Sequence, residues 1–362
     1  MFGPVTNSTL VIAIQVHHRL NYLRHLIISL SEARSIDRTL LIFSHDVWNE
    51  DINKLIRSID FAMVLQIHYP YSLQTHPYTF PGESSRDCPR NIKPDDAAKL
   101  NCINKDWPDL YGHYREAKFT QTKHHWWWKS NQIFGNLKIT ADFTGTVLFL
   151  EEDHFVTEDF IHVLKLMEKE QEGVAKEANI LCLGTYLKKF NYKINSKQME
   201  YYTKYVLKDF NKQGSVMAEL TQWMSSKHNM GMALTRKTWN KILQCTNHFC
   251  RYDDYNWDWS LLHVSLNCLR DKLQTLMVRG PRVFHIGECG VHHKKKDCAT
   301  SLVMNKVKYI IDSAKQYLFP DRLTIVESAV KKKVKLKKGN GGWGDKRDHS
   351  LCLNMTLGYQ DL

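Results

Sequence analysis

Three consecutive carboxylates, Glu151, Glu152 and Asp153, with His154 behind them, follow the apolar run Thr146 to Leu150. Carboxylates beside an imidazole suit a divalent cation, and a cation in turn suits an anionic substrate. The apolar run fits a strand buried on both faces of a mostly parallel sheet. Ligands of open α/β sheets sit beyond the carboxyl ends of the strands, which is where these acids fall. The competing reading is structural: the acids begin the next helix, with Thr157, Glu158 and Asp159 as N-cap and acidic first turn.

A second cluster is CTNHFCRYDDYNWDWSL, where Asp253, Asp254 and Asp258 stand among Tyr252, Tyr255, Trp257 and Trp259. Aromatic rings beside carboxylates suit sugars, whose CH faces stack while their hydroxyls bond to acids. If a helix begins at Asp254, Asp254 and Asp258 share a face, and an acid walled by tryptophan can serve as a general base. The alternative is a helix start with its acids on the dipole and its aromatics in the core. A third segment, REAKFTQTKHHWWWK, carries Lys123, His124 and His125, candidates for contacts with an anionic or nucleotide ligand. Residues on a helix point about 100° apart, so Trp126, Trp127 and Trp128 cannot form one stacking face, and at least two are expected in the core. The loop with His292, His293 and Lys294 to Lys296 has the charge for a diphosphate.

The elements that must position these groups alternate strand and helix. Strands are expected at Leu10 to Gln15, Thr39 to His45 and Met63 to His68, with helices at Arg19 to Arg34 and Ile52 to Ile59, the pattern of a doubly wound nucleotide-binding half. No glycine-rich phosphate loop is present, which leaves Gln15 to Arg19 and Ser44 to Asp46 to hold a nucleotide. Pro70 to Tyr114 reads as a long surface loop, and Arg115 to Leu137 as a helix. Beyond the acids come a helix at Phe160 to Glu172, strands at Asn179 to Leu183 and His228 to Leu234, and a helix at Lys237 to Leu243. Strands at Leu273 to Arg279 and Arg282 to His285, a helix at Lys306 to Tyr317, a lysine-rich edge strand or mobile segment at Lys331 to Lys338 and a glycine-rich turn with Trp343 at its tip complete the chain.

The chain has 362 residues with 43% hydrophobic content, enough for a substantial core, and a formal net charge of +12 that points to acidic partners. The basic residues are scattered over several segments, which argues against nucleic acid. No apolar run reaches the roughly 18 residues of a membrane helix. The nine cysteines lie in loops and at element ends, without paired two-residue spacings for zinc. Disulfides, and hence an oxidising compartment, are expected, and the sequons at Asn7 and Asn354 agree with that.

QVHHR at Gln15 to Arg19, FSHD at Phe43 to Asp46, HYREAKFTQTKHHWWWK at His113 to Lys129, LFLEEDH, HNMGMALTR at His228 to Arg236, YDDYNWDW and GGWGDKRDH at Gly341 to His349 together resemble the α-1,6-mannosyl-glycoprotein 2-β-N-acetylglucosaminyltransferase family, over about Ile14 to Cys352. The resemblance implies an α/β GT-A glycosyltransferase fold: a Rossmann-like sheet with helices on both faces, disulfide-stapled loops, and one catalytic domain over 1–362. Residues 9–150 would form the nucleotide-sugar half and 151–362 the metal, acceptor and base half. It implies inverting transfer of GlcNAc from UDP-GlcNAc to the α-1,6-arm mannose of an N-linked glycan that carries GlcNAc on its α-1,3 arm, with Mn2+. It further implies a Golgi lumenal enzyme of type II topology, held to the membrane only through an anchor; the cytoplasmic tail, signal anchor and stem are not seen in this chain. A homo-oligomer is compatible with it.

By the same resemblance Asp153 and His285 hold the metal, and Asp258 is the catalytic base. Gln15, Val16, His17, His18, Arg19, Asp46, Gln121, Thr122, Lys123, His124 and His125 bind the donor. Glu151, Trp257, Arg90 and Lys189 face the acceptor, Lys189 standing where relatives carry an arginine and lacking its planar fork. The implied disulfides are Cys88 with Cys102, Cys245 with Cys268, Cys250 with Cys352 and Cys289 with Cys298, leaving Cys182 free. Two other classes use similar residues: a metal-dependent phosphohydrolase, which has no need of an aromatic acceptor wall, and a noncatalytic glycan-binding homologue, which has no need of the metal and base residues present here.

Overall fold

The computed structural model describes residues 4–184, 214–287, 300–327, 336 and 338–356. The first half alternates strand and helix: β1 (Leu10–Val16), α1 (Leu20–Ser31), β2 (Thr39–His45), α2 (Glu50–Arg57), β3 (Met63–His68), then a long loop holding the short α3 (Pro94–Leu100). The helix α4 (Ala117–Asn131) leads to β4 (Thr146–Glu151), β5 (His154–Val156), α5 (Phe160–Glu172) and β6 (Ala178–Cys182). After β7 (Ser215–Gln222) and β8 (Met232–Thr235) come α6 (Arg236–Leu243), α7 (Thr246–Arg251), α8 (Trp257–Asn267), β9 (Gln274–Val278) and β10 (Val283–His285). The described chain closes with α9 (Thr300–Ala314), β11 (Arg322–Glu327) and α10 (Lys346–Asn354).

Nine strands form one mixed sheet in the order β11-β7-β9-β6-β8-β4-β1-β2-β3, and β10 pairs with β5 in a small second sheet. β1 lies parallel to both β2 and β4, with Gln15 opposite Ser44 on one side and Glu151 on the other. The chain runs from β1 outward to β3 and then returns to the other side of β1. The crevice beyond β1 and β4 is therefore a topological switch point, the place where such sheets take ligands. β1, β2 and the first five residues of β4 are buried almost throughout because both sheet faces are covered. One core cluster packs α1, α2 and α5 against the sheet, and another packs Trp126 and Trp127 of α4 with residues of α6, α7 and α8. The α/β expectation and its strand–helix alternation are met.

Several local expectations are corrected. The sheet ends at the edge strand Arg322–Glu327, which the sequence reading passed over; the lysine run at Lys331 to Lys338 lies mostly outside the described residues. Trp343 does not cap a turn tip. It is fully buried, and its indole N–H donates to the Cys250 carbonyl at 2.8 Å. Asp159 does not cap α5 through its side chain; its carboxylate accepts from the buried Arg282 Nε at 2.9 Å and from the Phe319 N–H at 3.0 Å. Cys88 pairs with Cys102, Cys245 with Cys268 and Cys250 with Cys352, while Cys182 is free and buried. The implied Cys289–Cys298 pair lies outside the described residues.

A buried ionic knot joins α10 to α4 and to the long loop. Asp348 accepts from Arg115 Nε at 2.7 Å and meets His124 Nε2 at 2.9 Å, while Arg115 also donates to the carbonyls of Pro81 and Gly82. Burial works against ionising Asp348, but Arg115 and His124 outweigh it and hold the carboxyl well below its usual range. Removing the acid would leave a buried guanidinium with only the more distant Asp87, at 3.5 Å, as counter-charge. Asp348→Ala is expected to cost about 3–5 kcal/mol in urea unfolding; a loss within 0.5 kcal/mol, the range usual for surface substitutions, would contradict the role. Because the native pKa is depressed, this stabilisation is present at neutral pH and fades only as pH falls below the unfolded carboxylate value of about 4.

Candidate active site

The sequence puts its chemistry where β1 and β4 end. β1 delivers Gln15 and Val16, and the turn into α1 delivers His17, His18 and Arg19. β4 delivers Glu151, and the turn into β5 delivers Glu152 and Asp153. β10 brings His285 opposite His154 through antiparallel pairing with β5, so two segments more than a hundred residues apart meet by backbone register.

Asp153 lies at the centre. It is 2% exposed; its Oδ2 meets Arg19 Nη1 at 2.8 Å and His285 Nε2 at 3.1 Å, while its buried Oδ1 has no hydrogen-bond partner. Burial disfavours the charge, but His285 and Arg19 outweigh it and keep Asp153 ionised far below the ordinary carboxylate range. Glu151, Asp153 and His154 can bring one ligand atom each within 4.8 Å of one another. An ionised carboxylate with one buried, unpartnered oxygen beside imidazole nitrogen is a donor set that fits a divalent cation. His154 is the weaker ligand of the two histidines: its Nδ1 accepts the Glu151 N–H at 3.2 Å and its ring is 1% exposed, whereas the His285 side chain keeps 28% exposure.

Glu152, without an assigned task in the sequence, organises the neighbouring turn. Its carboxylate accepts from the His17 N–H at 2.8 Å and from Arg19 Nε at 2.7 Å, which fixes the 17–19 turn over Asp153. Gly287 is the other residue that sequence reasoning passed over. A Cβ there would overlap the Asp153 carboxylate, so only glycine lets the chain after β10 pass so close. Gly287→Ala is expected to displace that carboxylate and weaken binding of a divalent cation by about 10–100-fold, as for other supports of metal ligands. Calorimetric titration with Mn2+ reads this directly; unchanged affinity would place the cation elsewhere.

The nucleotide-side candidates divide into two groups. Asp46, at the end of β2, meets His17 Nδ1 at 2.6 Å and accepts from Gln121 Nε2 at 3.0 Å. Gln121 Oε1 in turn accepts the Leu73 N–H at 2.6 Å, tying the long loop to this corner. His17 and Arg19 are partly open and His18 is exposed, so these side chains reach the crevice; Thr122 is half-buried. The others do not reach it. Val16 is a core side chain, and Lys123, His124 and His125 are sealed in the interior. Lys123 Nζ donates to the Tyr252 and Asp254 carbonyls at 3.1 and 3.0 Å, His124 belongs to the Asp348 knot, and His125 Nε2 meets Ser44 Oγ at 2.7 Å. Burial lowers the pKa of Lys123 to about 7 and of His125 to about 3. Lys123, His124 and His125 therefore support the walls of the crevice, correcting the expectation of direct ligand contact. Lys129 supports it too, with Nζ on Gln15 Oε1 at 2.8 Å.

Asp258 enters from α8. It is 7% exposed, and burial raises its pKa to about 6, with the charges of Asp254 and Glu151 adding to the rise. The charge of Glu151, at the end of β4, is the smallest of the influences acting on Asp258. α8 begins at Trp257, so Asp254 and Asp258 do not share a helix face as the sequence suggested. Asp254 instead takes structural bonds from Asn256 and Asn340, and Asp253 takes the N–H groups of Leu110 and Trp343. Trp257 is only 7% exposed, with one face stacked on Trp126 at 4.3 Å, so it is not an open stacking platform. Arg90 is open, paired with Glu116 at 2.9 Å. Lys189 and the basic loop at His292 to Lys296 lie outside the described residues.

The profile of the family described as N-acetylglucosaminyltransferase II (MGAT2) matches residues 1–212 and 202–352. The α-1,6-mannosyl-glycoprotein 2-β-N-acetylglucosaminyltransferase of Rattus norvegicus is 46% identical over 352 residues, covering 97% of this chain and 75% of the relative. The Arabidopsis thaliana protein of that name is 31% identical over 365 residues, covering 99% and 77%. Among solved structures, S. aureus TarS 1–349 in complex with UDP-GlcNAc aligns at a TM-score of 0.37 and 9% identity, over 86% of this chain and 70% of that one. With 46% identity across nearly its whole length, the chain belongs to the N-acetylglucosaminyltransferase II family.

Proposed function

We propose that this protein is an inverting β-1,2-N-acetylglucosaminyltransferase that moves GlcNAc from UDP-GlcNAc to the α-1,6-arm mannose of an N-linked glycan already bearing GlcNAc on its α-1,3 arm. The observation that carries the reading is the ionised Asp153 paired with His285 beyond β4, at the switch point of the sheet; the buried Asp258 at the start of α8 supports it. Family membership supports the same reaction.

In this reading Asp153 and His285 hold Mn2+. When bound, the cation offsets negative charge on the departing UDP. Glu152 fixes the 17–19 turn, and Arg19, spanning Glu152 and Asp153, brings a guanidinium to the diphosphate side. Asp46, His17 and Gln121 frame the nucleoside end, while Glu151, Trp257 and Arg90 line the acceptor side. Asp258 takes the proton of the mannose hydroxyl as it attacks the sugar carbon opposite the leaving UDP. One displacement inverts the α-linked donor to a β product, with no covalent enzyme intermediate.

The raised pKa of Asp258 has a direct kinetic consequence. A base works only when deprotonated, so kcat is expected to rise with pH and level off above about 6. A flat profile between pH 5 and 7 would remove Asp258 from that role. The three disulfides support a lumenal, oxidising location such as the Golgi. Among the described residues no helix is long and apolar enough to cross a membrane.

A further inference from the structure

The HNMGMALTR segment helps carry the family resemblance, yet its first residues have no part in the reaction as described. They close a tight loop over Asp258. Trp223, fully buried, donates its indole N–H to the His228 carbonyl at 3.2 Å. The Met224 N–H is accepted by His228 Nδ1 at 3.0 Å, and the His228 N–H returns to the Met224 carbonyl at 3.1 Å. The ends of the loop are thus locked by two buried rings, and its middle is forced around a sharp bend. Ser226 takes that bend at a left-handed φ of 54°, unusual for a residue other than glycine.

The bend has a visible result. The Ser226 N–H points to Asp258 Oδ2 at 2.9 Å, and Asn229 Nδ2 reaches the same oxygen at 3.3 Å. The amide must present its nitrogen, because its oxygen would face a carboxylate oxygen. Both donors grip the same oxygen, Oδ2.

We infer that the 223–229 loop is the positioning device of the catalytic base: Ser226 and Asn229 fix Asp258 Oδ2, so that Oδ1 is the oxygen that takes the proton of the acceptor hydroxyl. This rests on the reading of Asp258 as base. The proton moves from the mannose hydroxyl to Oδ1 while the hydroxyl oxygen bonds to the sugar carbon and the bond to UDP breaks. Around the carboxylate, Glu151 and Asp254 raise its proton affinity, whereas the N–H groups of Ser226 and Trp259 lower it. The loop's own charge, Lys227, is felt at His228 and Cys182. Hydrogen bonds to the charged form stabilise it, so loss of a loop donor shifts titration upward.

The test uses the full chain with UDP-GlcNAc, Mn2+ and the glycan acceptor. Asn229→Ala removes one donor, whereas Ser226→Pro removes the other and, with φ held at about −65°, also undoes the left-handed bend at φ 54°. Each is expected to lower kcat by about 10–100-fold. Each is also expected to move the acidic limb of the kcat profile to higher pH, with UDP binding by calorimetry unchanged. Ser226→Gly keeps the N–H and accepts the left-handed backbone, so it should retain wild-type kcat and limb. Wild-type kcat and limb in both donor-removing variants would overturn the inference, as would lost activity with an unmoved limb and a lowered melting temperature. Asp258→Asn run alongside separates the two levels: if it is inactive while Asn229→Ala and Ser226→Pro behave as wild type, only the loop's role fails. If Asp258→Asn transfers normally, the base assignment falls and the loop's role with it.

Discussion

Asp258→Asn is expected to reduce kcat by about 10²–10⁴-fold, the usual contribution of a positioned general base. An amide of the same shape keeps the packing against Trp257 and a partner for Ser226, but it cannot accept the mannose proton. UDP-GlcNAc binding should survive, because the residues around the nucleotide stand on β1, β2 and α4 and not on α8. Loss of kcat with donor affinity intact therefore distinguishes failed proton transfer from a collapsed site. Loss of both would mean that Asp258 organises the fold.

Asp153→Ala is the second large effect, expected to abolish Mn2+ binding and to lower transfer by at least about 10³-fold. The size follows from removing an ionised group whose charge is set by Arg19 and His285 and whose other oxygen is buried without a partner. Without it the diphosphate meets His285 and Arg19 alone, and charge on the leaving UDP loses the cation's stabilisation. Chelation of the wild type should give a comparable loss, reversed by adding Mn2+. Transfer that persists after chelation and in Asp153→Ala would contradict a metal-assisted reaction. Thermal stability should change far less than activity, since Arg19 is partly exposed and keeps Glu152 as a counter-charge at 2.7 Å, so no buried charge is left unpaired.

The sheet was legible because its strands are unusually plain. LVIAIQ, TLLIFSH and TVLFLE each hold an unbroken apolar run of four or five residues, as strands covered on both faces do, and the helices between them carry one apolar stripe. Asp153 and Asp258 were legible through the family motifs that contain them. What the sequence hid was which way side chains turn inside a buried helix. Lys123, His124 and His125 looked like ligand contacts because charged residues are rarely interior. α4 is wrapped on nearly every side, however, and each finds a buried partner in Asp254, Asp348 or Ser44.

Trp343 misled for the opposite reason. Glycines on either side suggest an exposed turn, but positive φ at Gly341 and Gly342 folds the segment so that the indole enters the core beneath Cys250. Asp254 looked like a helix residue because a helix starting there would put it on one face with Asp258, four residues on, yet its carboxylate is consumed by Asn256 and Asn340 before the helix starts. Glu152 and Asn229 act on partners 135 and 29 residues away. Local pattern carries no trace of such pairings; their signal lay only in longer motifs, EEDH and HNMGM, whose interior residues had no assigned task.

The central claim is that Asp153, His285 and Asp258 form one transferase site. Incubating the purified protein with UDP-GlcNAc, Mn2+ and an N-glycan carrying GlcNAc on its α-1,3 arm alone, followed by mass spectrometry, tests it most directly. The predicted result is a single added GlcNAc, β-1,2-linked on the α-1,6-arm mannose, lost in Asp258→Asn. A glycan of unchanged mass, or equal transfer by wild type and Asp258→Asn, would contradict it.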